Sequence, residues 1–289
     1  MPASPARVAV VIATRNRGPE LLGTLARLRA LHEQPPIVVI DNGSTDGTAE
    51  LVRAHHHPGV QVVGLRRNRG GAARNVGARL VDCPYVAFSD DDSWWAPGAL
   101  GRAVEVLDRH PRLAVLAARV LVGPDRRLDP VCDEMAHSPL PSAPDLPGPA
   151  VLGFIACGAV VRRAAFLEVG GFDVRLGVGG EEELLAVDLA ARGWALAYVE
   201  EVVAYHHPSL SRDPTGRRRV QIRNALWSAW LRRPLGGAAR ETAHLAALAM
   251  HQPGAWSGIL LALAGLPWVL RERRPVHPEL EAALRTLAD

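Results

Sequence analysis

Tyr85-Val86-Ala87-Phe88-Ser89-Asp90-Asp91-Asp92 runs from four apolar residues straight into three adjacent carboxylates. The apolar half reads as a buried strand, and the acidic half as the polar turn at its carboxyl end. Similar β-branched runs precede it at Val8 to Ala13, Ile37 to Ile40 and Val60 to Val63, each separated by helix-compatible sequence. Leu21, Leu22, Leu25, Leu28 and Leu31 give the first such stretch one apolar face, and Ser44/Thr45 signal a cap before Leu51 and Val52. Gly70 to Val81 and Ala96 to Arg109 supply two more helices. This βαβα rhythm predicts an α/β fold, a mostly parallel central sheet with flanking helices. In such a sheet ligands bind beyond the carboxyl ends of the strands.

Leu113 to Val122 reads as a further strand, and Asp129 to Pro149 holds six prolines, which predicts a flexible loop over 129–150. Regular structure resumes at Val151 to Val161, with a helix over Glu181 to Arg192 and a strand over Ala195 to Tyr205. An arginine-rich helix from Arg217 to Arg232 carries Trp227 and Trp230, and a 16-residue apolar stretch from Ala255 to Leu270 is interrupted by Pro267. The stretch is too short to favour a membrane span, leaving a packed helix or a peripheral membrane contact. The expected division is a catalytic domain over 1–210 and a helical extension over 211–289.

All 33 basic residues are arginine; the chain has no lysine. Schiff-base chemistry, a lysine general base and a Walker-type lysine are thereby excluded, so phosphate handling falls to arginine, backbone amides or metal. A net charge of +3 suits an anionic small molecule, and nothing in the charge pattern marks a nucleic-acid partner. Three cysteines without close pairing, and an N-terminal apolar run soon followed by arginines, are expected of a cytoplasmic protein.

Three adjacent carboxylates repel one another, and a hard divalent cation would offset that cost while bridging phosphate oxygens. Asp90 and Asp92 are the candidate metal or bridging-water ligands, and Asp91 a contact to a ribose or sugar hydroxyl; a solvated turn is the plainer alternative. Asp41 and Asn42, also at a strand end, suit a base or ribose, or simply a turn and cap. Thr14 and Arg15 follow the first strand and are candidates for the same pocket. Arg74, in a glycine-rich helix start, is the preferred diphosphate or base contact, with Asn75 fixing the turn. His55-His56-His57 before Pro58 reads as a structural or solvated loop.

The ordered set Val10-Val11-Ile12-Ala13-Thr14-Arg15-Asn16, Asp41-Asn42-Gly43-Ser44-Thr45-Asp46, Gly70-Gly71-Ala72-Ala73-Arg74-Asn75, Ser89-Asp90-Asp91-Asp92, Gly170-Gly171-Phe172-Asp173 and Gly180-Glu181-Glu182-Glu183 resembles inverting family 2 glycosyltransferases with a GT-A-like nucleotide-sugar-binding fold. The resemblance implies a nucleoside diphosphate sugar donor and a divalent metal, Mg²⁺ or Mn²⁺. The acceptor would be a hydroxyl-bearing small molecule, saccharide or lipid. It implies an enzyme free in the cytoplasm or peripheral at the inner face of the membrane. Family members often carry a Glu-Asp pair whose second residue is the base. The matching pair here is Glu181-Glu182, a departure that makes Glu182 the leading base, with Glu181 next. Gly153 and Phe154 resemble the acceptor-side segment, and His206 a ligand to the metal. A single displacement with inversion at the anomeric carbon follows. Apart from the resemblance, Trp227 and Trp230 on the arginine-rich helix are candidates to stack on a sugar, the plainer alternative being an aromatic face packed on the core. A nucleotidyltransferase and an inactive nucleotide-sugar-binding protein are the competing readings.

Overall fold

The computed structural model describes residues 6–55, 58–141, 143–208, 214–250 and 255–288; His56 and His57 lie outside them. In chain order the elements are β1 (Val8–Thr14), α1 (Gly18–Arg29), β2 (Ile37–Asp41), α2 (Thr48–Ala54), β3 (Val60–Gly64), a 3-10 turn (Gly70–Ala73), α3 (Arg74–Leu80) and β4 (Tyr85–Asp90). Then follow β5 (Ser93–Trp95), α4 (Ala99–Arg109), β6 (Leu113–Val122), β7 (Arg127–Leu128), α5 (Pro130–Ala136), β8 (Ala159–Arg162), α6 (Arg163–Glu168), α7 (Glu181–Ala191) and β9 (Ala195–His206). The tail folds as α8 (Pro214–Arg232), α9 (Leu235–Ala249), α10 (Ala255–Ala264), α11 (Leu266–Arg271) and α12 (Pro278–Thr286).

The strands form one sheet in the order β3-β2-β1-β4-β8-β6-β9-β5. β3, β2, β1 and β4 are parallel, β8 enters antiparallel between β4 and β6, and β9 runs parallel to β6. Alternation along β1 sends Val8, Val10 and Ile12 to one face, against α1 and α4, and Ala9 and Val11 to the other, against α3, α6 and α7. Both faces are therefore covered, as the continuous apolar runs require. The register sets Thr14 beside Asp41 and Ala13 beside Asp90, which gathers the polar strand ends along one rim. β5 pairs antiparallel with the end of β9, placing His206 opposite Ser93.

Some elements differ from expectation for local reasons. The proline-rich segment holds α5: Pro130 occupies a first-turn position, and the Asp129 carboxylate caps the helix by accepting from the Val131 N–H at 3.0 Å. Cys132 and Met135 on that helix are buried. The expected Ser44/Thr45 cap of α2 is not made: Gly47 is the N-cap, and Asp46 before it accepts from both the Thr48 N–H at 3.0 Å and the Thr48 hydroxyl at 2.6 Å. The apolar stretch from 255 to 270 is two helices meeting at Gly265. Among the described residues no helix is long and apolar enough to cross a membrane. A third cluster of buried side chains joins Leu176 and Leu184 to Ile222, Leu226, Trp227, Leu231, Ala262 and Val269, so the tail packs onto the start of α7.

Candidate active site

The acidic turn after β4 is held from several sides. The Asp90 N–H donates to the Ser93 hydroxyl at 2.7 Å, and the Thr14 hydroxyl donates to the Asp91 carboxylate at 2.9 Å. Thr24 on α1 donates to the Asp91 carbonyl at 2.7 Å. At the end of β9 the His207 N–H donates to the Asp92 carbonyl at 2.8 Å, and His206 Nε2 lies 3.4 Å from Asp92 Oδ1. Burial pushes Asp91 up to about 7; the Thr14 hydrogen bond opposes this, and the charges of Asp90 and Asp92 add to it. Arg17 reaches to 3.8 Å from Asp91 and 4.0 Å from Asp92 and supplies part of the compensation.

A second acidic group, Glu181-Glu182-Glu183, opens α7. Its approach is made of glycines. The Gly71 N–H donates to the Gly177 carbonyl at 2.6 Å, and Gly70 has a positive φ of 58° and so little room that any Cβ would strike the Gly177 backbone. A Cβ on Gly71 would strike the Glu181 carboxylate, which itself accepts from the Gly179 N–H. Asn75 clasps Phe172 through both backbone groups, donating to its carbonyl at 2.8 Å and accepting from its N–H at 3.0 Å. The Gly70-Gly71, Gly170-Gly171 and Gly180 motifs thus interlock in space. Asn224 of α8, fully buried, holds the same loop by donating to the Leu176 carbonyl at 2.9 Å and the Gly179 carbonyl at 2.5 Å.

Arg74 stands between the two acidic groups. It is 8% exposed and donates to Asp90. Burial opposes its charge, but the fields of Asp90, Glu181 and Glu182 more than offset that, so its guanidinium is held charged. Burial, and next the neighbouring Glu181 carboxylate, push Glu182 up to about 8. That makes Glu182 a far stronger base, once ionised, than an ordinary glutamate.

These groups open into a cleft of about 1030 Å³. Thr14, Arg15, Asn42, Arg74, Asp90 to Asp92, Glu181, Glu182, His206, Gly153 and Phe154 all line it. Two expected contacts are not on its wall. Asp41 is buried and turned into its own loop, where it accepts from the Ser44 N–H at 3.0 Å. Trp227 lies on the opposite face of α8, donating to the Ala262 carbonyl at 2.9 Å and packing edge-on against Trp268. The cleft face of α8 instead presents Gln221, Ala225, Ser228 and Arg232. Asn42 is on the wall yet largely committed: it accepts from the Arg69 N–H at 2.8 Å and donates to the Gly70 carbonyl at 3.1 Å.

Sequence reasoning missed Arg17 and the wall supplied by α12. Arg17 follows Thr14 and Arg15 in the same loop, so its position was a usable signal. Cys157 lies in the acceptor-side segment that begins at Gly153, whereas the Leu284 and Leu287 contributions carry no local motif. Ligand atoms of Asp90, Cys157 and His206 lie within 4.8 Å of one another. Burial, strengthened by the Asp90 charge, raises the Cys157 thiol well above its usual range and keeps it neutral.

A family model described as glycosyl transferase family 2 matches residues 9–170, more than half of the chain. A curated relative, N-acetylglucosaminyl-diphospho-decaprenol L-rhamnosyltransferase of Mycobacterium tuberculosis, is 29% identical over 269 residues, covering 78% of this chain and 87% of its own. Validoxylamine A glucosyltransferase of Streptomyces hygroscopicus subsp. jinggangensis is 40% identical over 89 residues, 29% of this chain and 21% of its own. Among solved structures, the mannosyltransferase PcManGT from Pyrobaculum calidifontis, in complex with GDP-Man and Mn²⁺, aligns with a TM-score of 0.61 at 21% identity over 99% of this chain and 87% of that one. TarS 1–349 of S. aureus, in complex with UDP-GlcNAc, aligns at 0.56 and 18% identity over 76% and 66%. With a family model spanning the strand-end motifs and a sheet shared with these transferases, the chain belongs to glycosyltransferase family 2 and is an enzyme with the GT-A-like fold.

Proposed function

We propose that the protein transfers a sugar from a nucleoside diphosphate sugar to an acceptor hydroxyl by a single displacement with inversion, Glu182 serving as the base. The observation that carries this reading is that Glu182, pushed up to about 8, and the Asp90–Asp92 turn line one cleft and share the charged Arg74. Glu182 takes the proton of the acceptor hydroxyl at its carboxylate. The freed oxygen then attacks the anomeric carbon from the face opposite the leaving nucleoside diphosphate. Glu181, fixed by the Gly179 N–H, keeps Glu182 raised and close to the acceptor side. Thr14, Arg15, Asn42 and Asp91 line the donor side, and Arg74 holds Asp90 in place while its positive charge faces the donor phosphates.

The donor set fits a hard divalent cation. Asp92 and His206 approach to 3.4 Å, and Asp90 lies near His206, so oxygen and imidazole ligands converge on one side of the acidic turn. Asp90, Asp92 and His206 would hold it; the neutral, soft Cys157 thiol is unsuited to a hard ion. When bound, the cation neutralises charge on the diphosphate leaving group. The Mn²⁺ in the PcManGT complex supports a divalent cation.

For the acceptor we infer a sugar hydroxyl on a lipid carrier, on the strength of the relative whose name gives a sugar-diphospho-decaprenol and which aligns along most of its length. The test is incubation with a nucleotide-sugar panel, Mg²⁺ or Mn²⁺, and saccharide and lipid-linked acceptors. Nucleoside diphosphate release with an inverted anomeric centre by NMR is expected; pyrophosphate release or a retained centre would overturn the mechanism.

A further inference from the structure

The outer face of the α10–α11 pair has no role in the cleft. α10 contains no charged residue. Its inner face packs along α8: Gly258 abuts the Arg219 carbonyl and Ile222, and the Ala262 carbonyl receives the Trp227 indole N–H. Its outer face carries Trp256 (51% exposed), Leu260 (65%) and Leu263 (55%), and Leu270 of α11 (54%) continues the same stripe. The spacing of four and three residues puts the first three on one side of the helix. Such an apolar stripe on a water-facing surface needs a covering partner.

The charge around the stripe identifies that partner. α8 contains no acidic residue, and Arg217, Arg218 and Arg219 are exposed in its early turns, with the backbone of Arg219 against Gly258 near the Trp256 end of α10. Arg271 and Arg274 are exposed at the other end. Glu272, the sole acid from 255 to 274, is held by Arg175 through two bonds of 2.7 and 2.8 Å, with Arg271 a further 3.5 Å from its carboxylate, so the rim keeps a net positive charge. A two-fold pairing of copies through this face would bring arginine rims together, a like-charge juxtaposition that opposes association. An anionic lipid surface satisfies both parts: Trp and Leu enter the acyl boundary, and the arginines meet the headgroups.

We infer that the α10–α11 face is a docking surface for anionic membranes, with Trp256, Leu260, Leu263 and Leu270 as the inserted residues. α8 links this face to the cleft, because Arg217 lines the cleft while Arg218 and Arg219 stand exposed in the same turn. Docking therefore sets the acceptor side of the cleft close to the lipid surface. This inference goes beyond the catalytic reading, and its test uses neither donor nor acceptor, so the two fail separately.

The full chain is sedimented with phosphatidylcholine vesicles with and without phosphatidylglycerol. Binding is expected only to the anionic vesicles, with weakening as salt is raised. The double substitution Leu260→Glu/Leu263→Glu is expected to reduce vesicle affinity by about tenfold or more per leucine while the thermal melt is unchanged. If that variant melts without cooperativity, Trp256→Ser/Leu260→Ser replaces it with the same expected direction. Wild-type protein left in the supernatant, equal binding by the variants, or a wild-type dimer in light scattering that the variants convert to monomer would each overturn the inference.

Discussion

Glu182 carries opposite demands from chemistry and from folding. Its ordinary range is near 4.5, and the fold holds it near 8 because the ionised form is buried beside Glu181. As the proposed base it must be ionised, so kcat/KM is expected to rise with pH through about 8 and then level, and Glu182→Gln is expected to lower kcat by roughly 10²–10⁴ with donor affinity nearly kept. Folding runs the other way. A carboxyl raised in the fold favours the native state below its unfolded value and loses that advantage as pH rises through the folded one. Glu182→Gln should therefore match wild type in thermal melts near about pH 4 and melt higher than wild type above about pH 8. An inactive variant with no gain in alkaline stability would place the proton elsewhere. At the other acidic group, Asp92→Asn removes the carboxylate that faces His206 at 3.4 Å. Calorimetric titration of Mn²⁺ is expected to show a loss of affinity exceeding the roughly 10–100-fold seen when an outer-shell partner is removed.

At the scale of elements, the loop that delivers α7 depends on a side chain from α8. Asn224 satisfies two carbonyls of the 176–179 stretch, and its own oxygen accepts from Arg223 at 2.8 and 3.0 Å. Asn224→Ala strands buried acceptors and is expected to cost about 1–3 kcal/mol in urea unfolding. It should also lower kcat more than donor affinity, because Gly179 anchors Glu181. Unchanged stability with unchanged turnover would mean the glycine loop holds itself. The parallel strands and their acidic and glycine-rich ends were legible because period, apolar runs and turn residues are local signals. What those motifs do to one another was not: Asn75 meets Phe172, and Gly71 meets Glu181, across separations of about a hundred residues. Side-chain direction was equally hidden. Asp41 belongs to a recognisable motif, yet the turn through Gly43, at φ 77°, lets its carboxylate fold back onto the Ser44 N–H. In α8 two stripes compete, 221-225-228-232 and 222-226-231, and only the packed helix shows that the first faces the cleft while Trp227 sides with the second.

For the whole molecule, chain order suggests a catalytic unit ending near residue 210 and an appended helical tail, but burial cuts across that boundary. Leu176 and Leu184, which flank Glu181 and Glu182, are buried among Ile222, Leu226 and Leu231 of α8 together with Ala262 and Val269. Arg232 pairs with Asp188 of α7, and Arg223 donates to the Leu176 carbonyl at 2.7 Å. The cleft itself takes part of its wall from α8, Glu241 of α9 and Leu284 of α12. A chain ended at Pro208 would expose two leucines beside the site and leave the Gly177–Gly180 approach without Asn224. Fully burying each leucine is worth about 1.5–3 kcal/mol, and folded domains hold only about 5–15 kcal/mol in reserve. The shortened chain is therefore expected to melt well below the full chain, or without a cooperative transition, and to lose transfer activity. Calorimetry on the two proteins checks this: a shortened chain with the full chain's melting temperature and undiminished transfer would make α8–α12 a true appendage. The shared core argues instead that the helices which line the cleft also hold the proposed base in place.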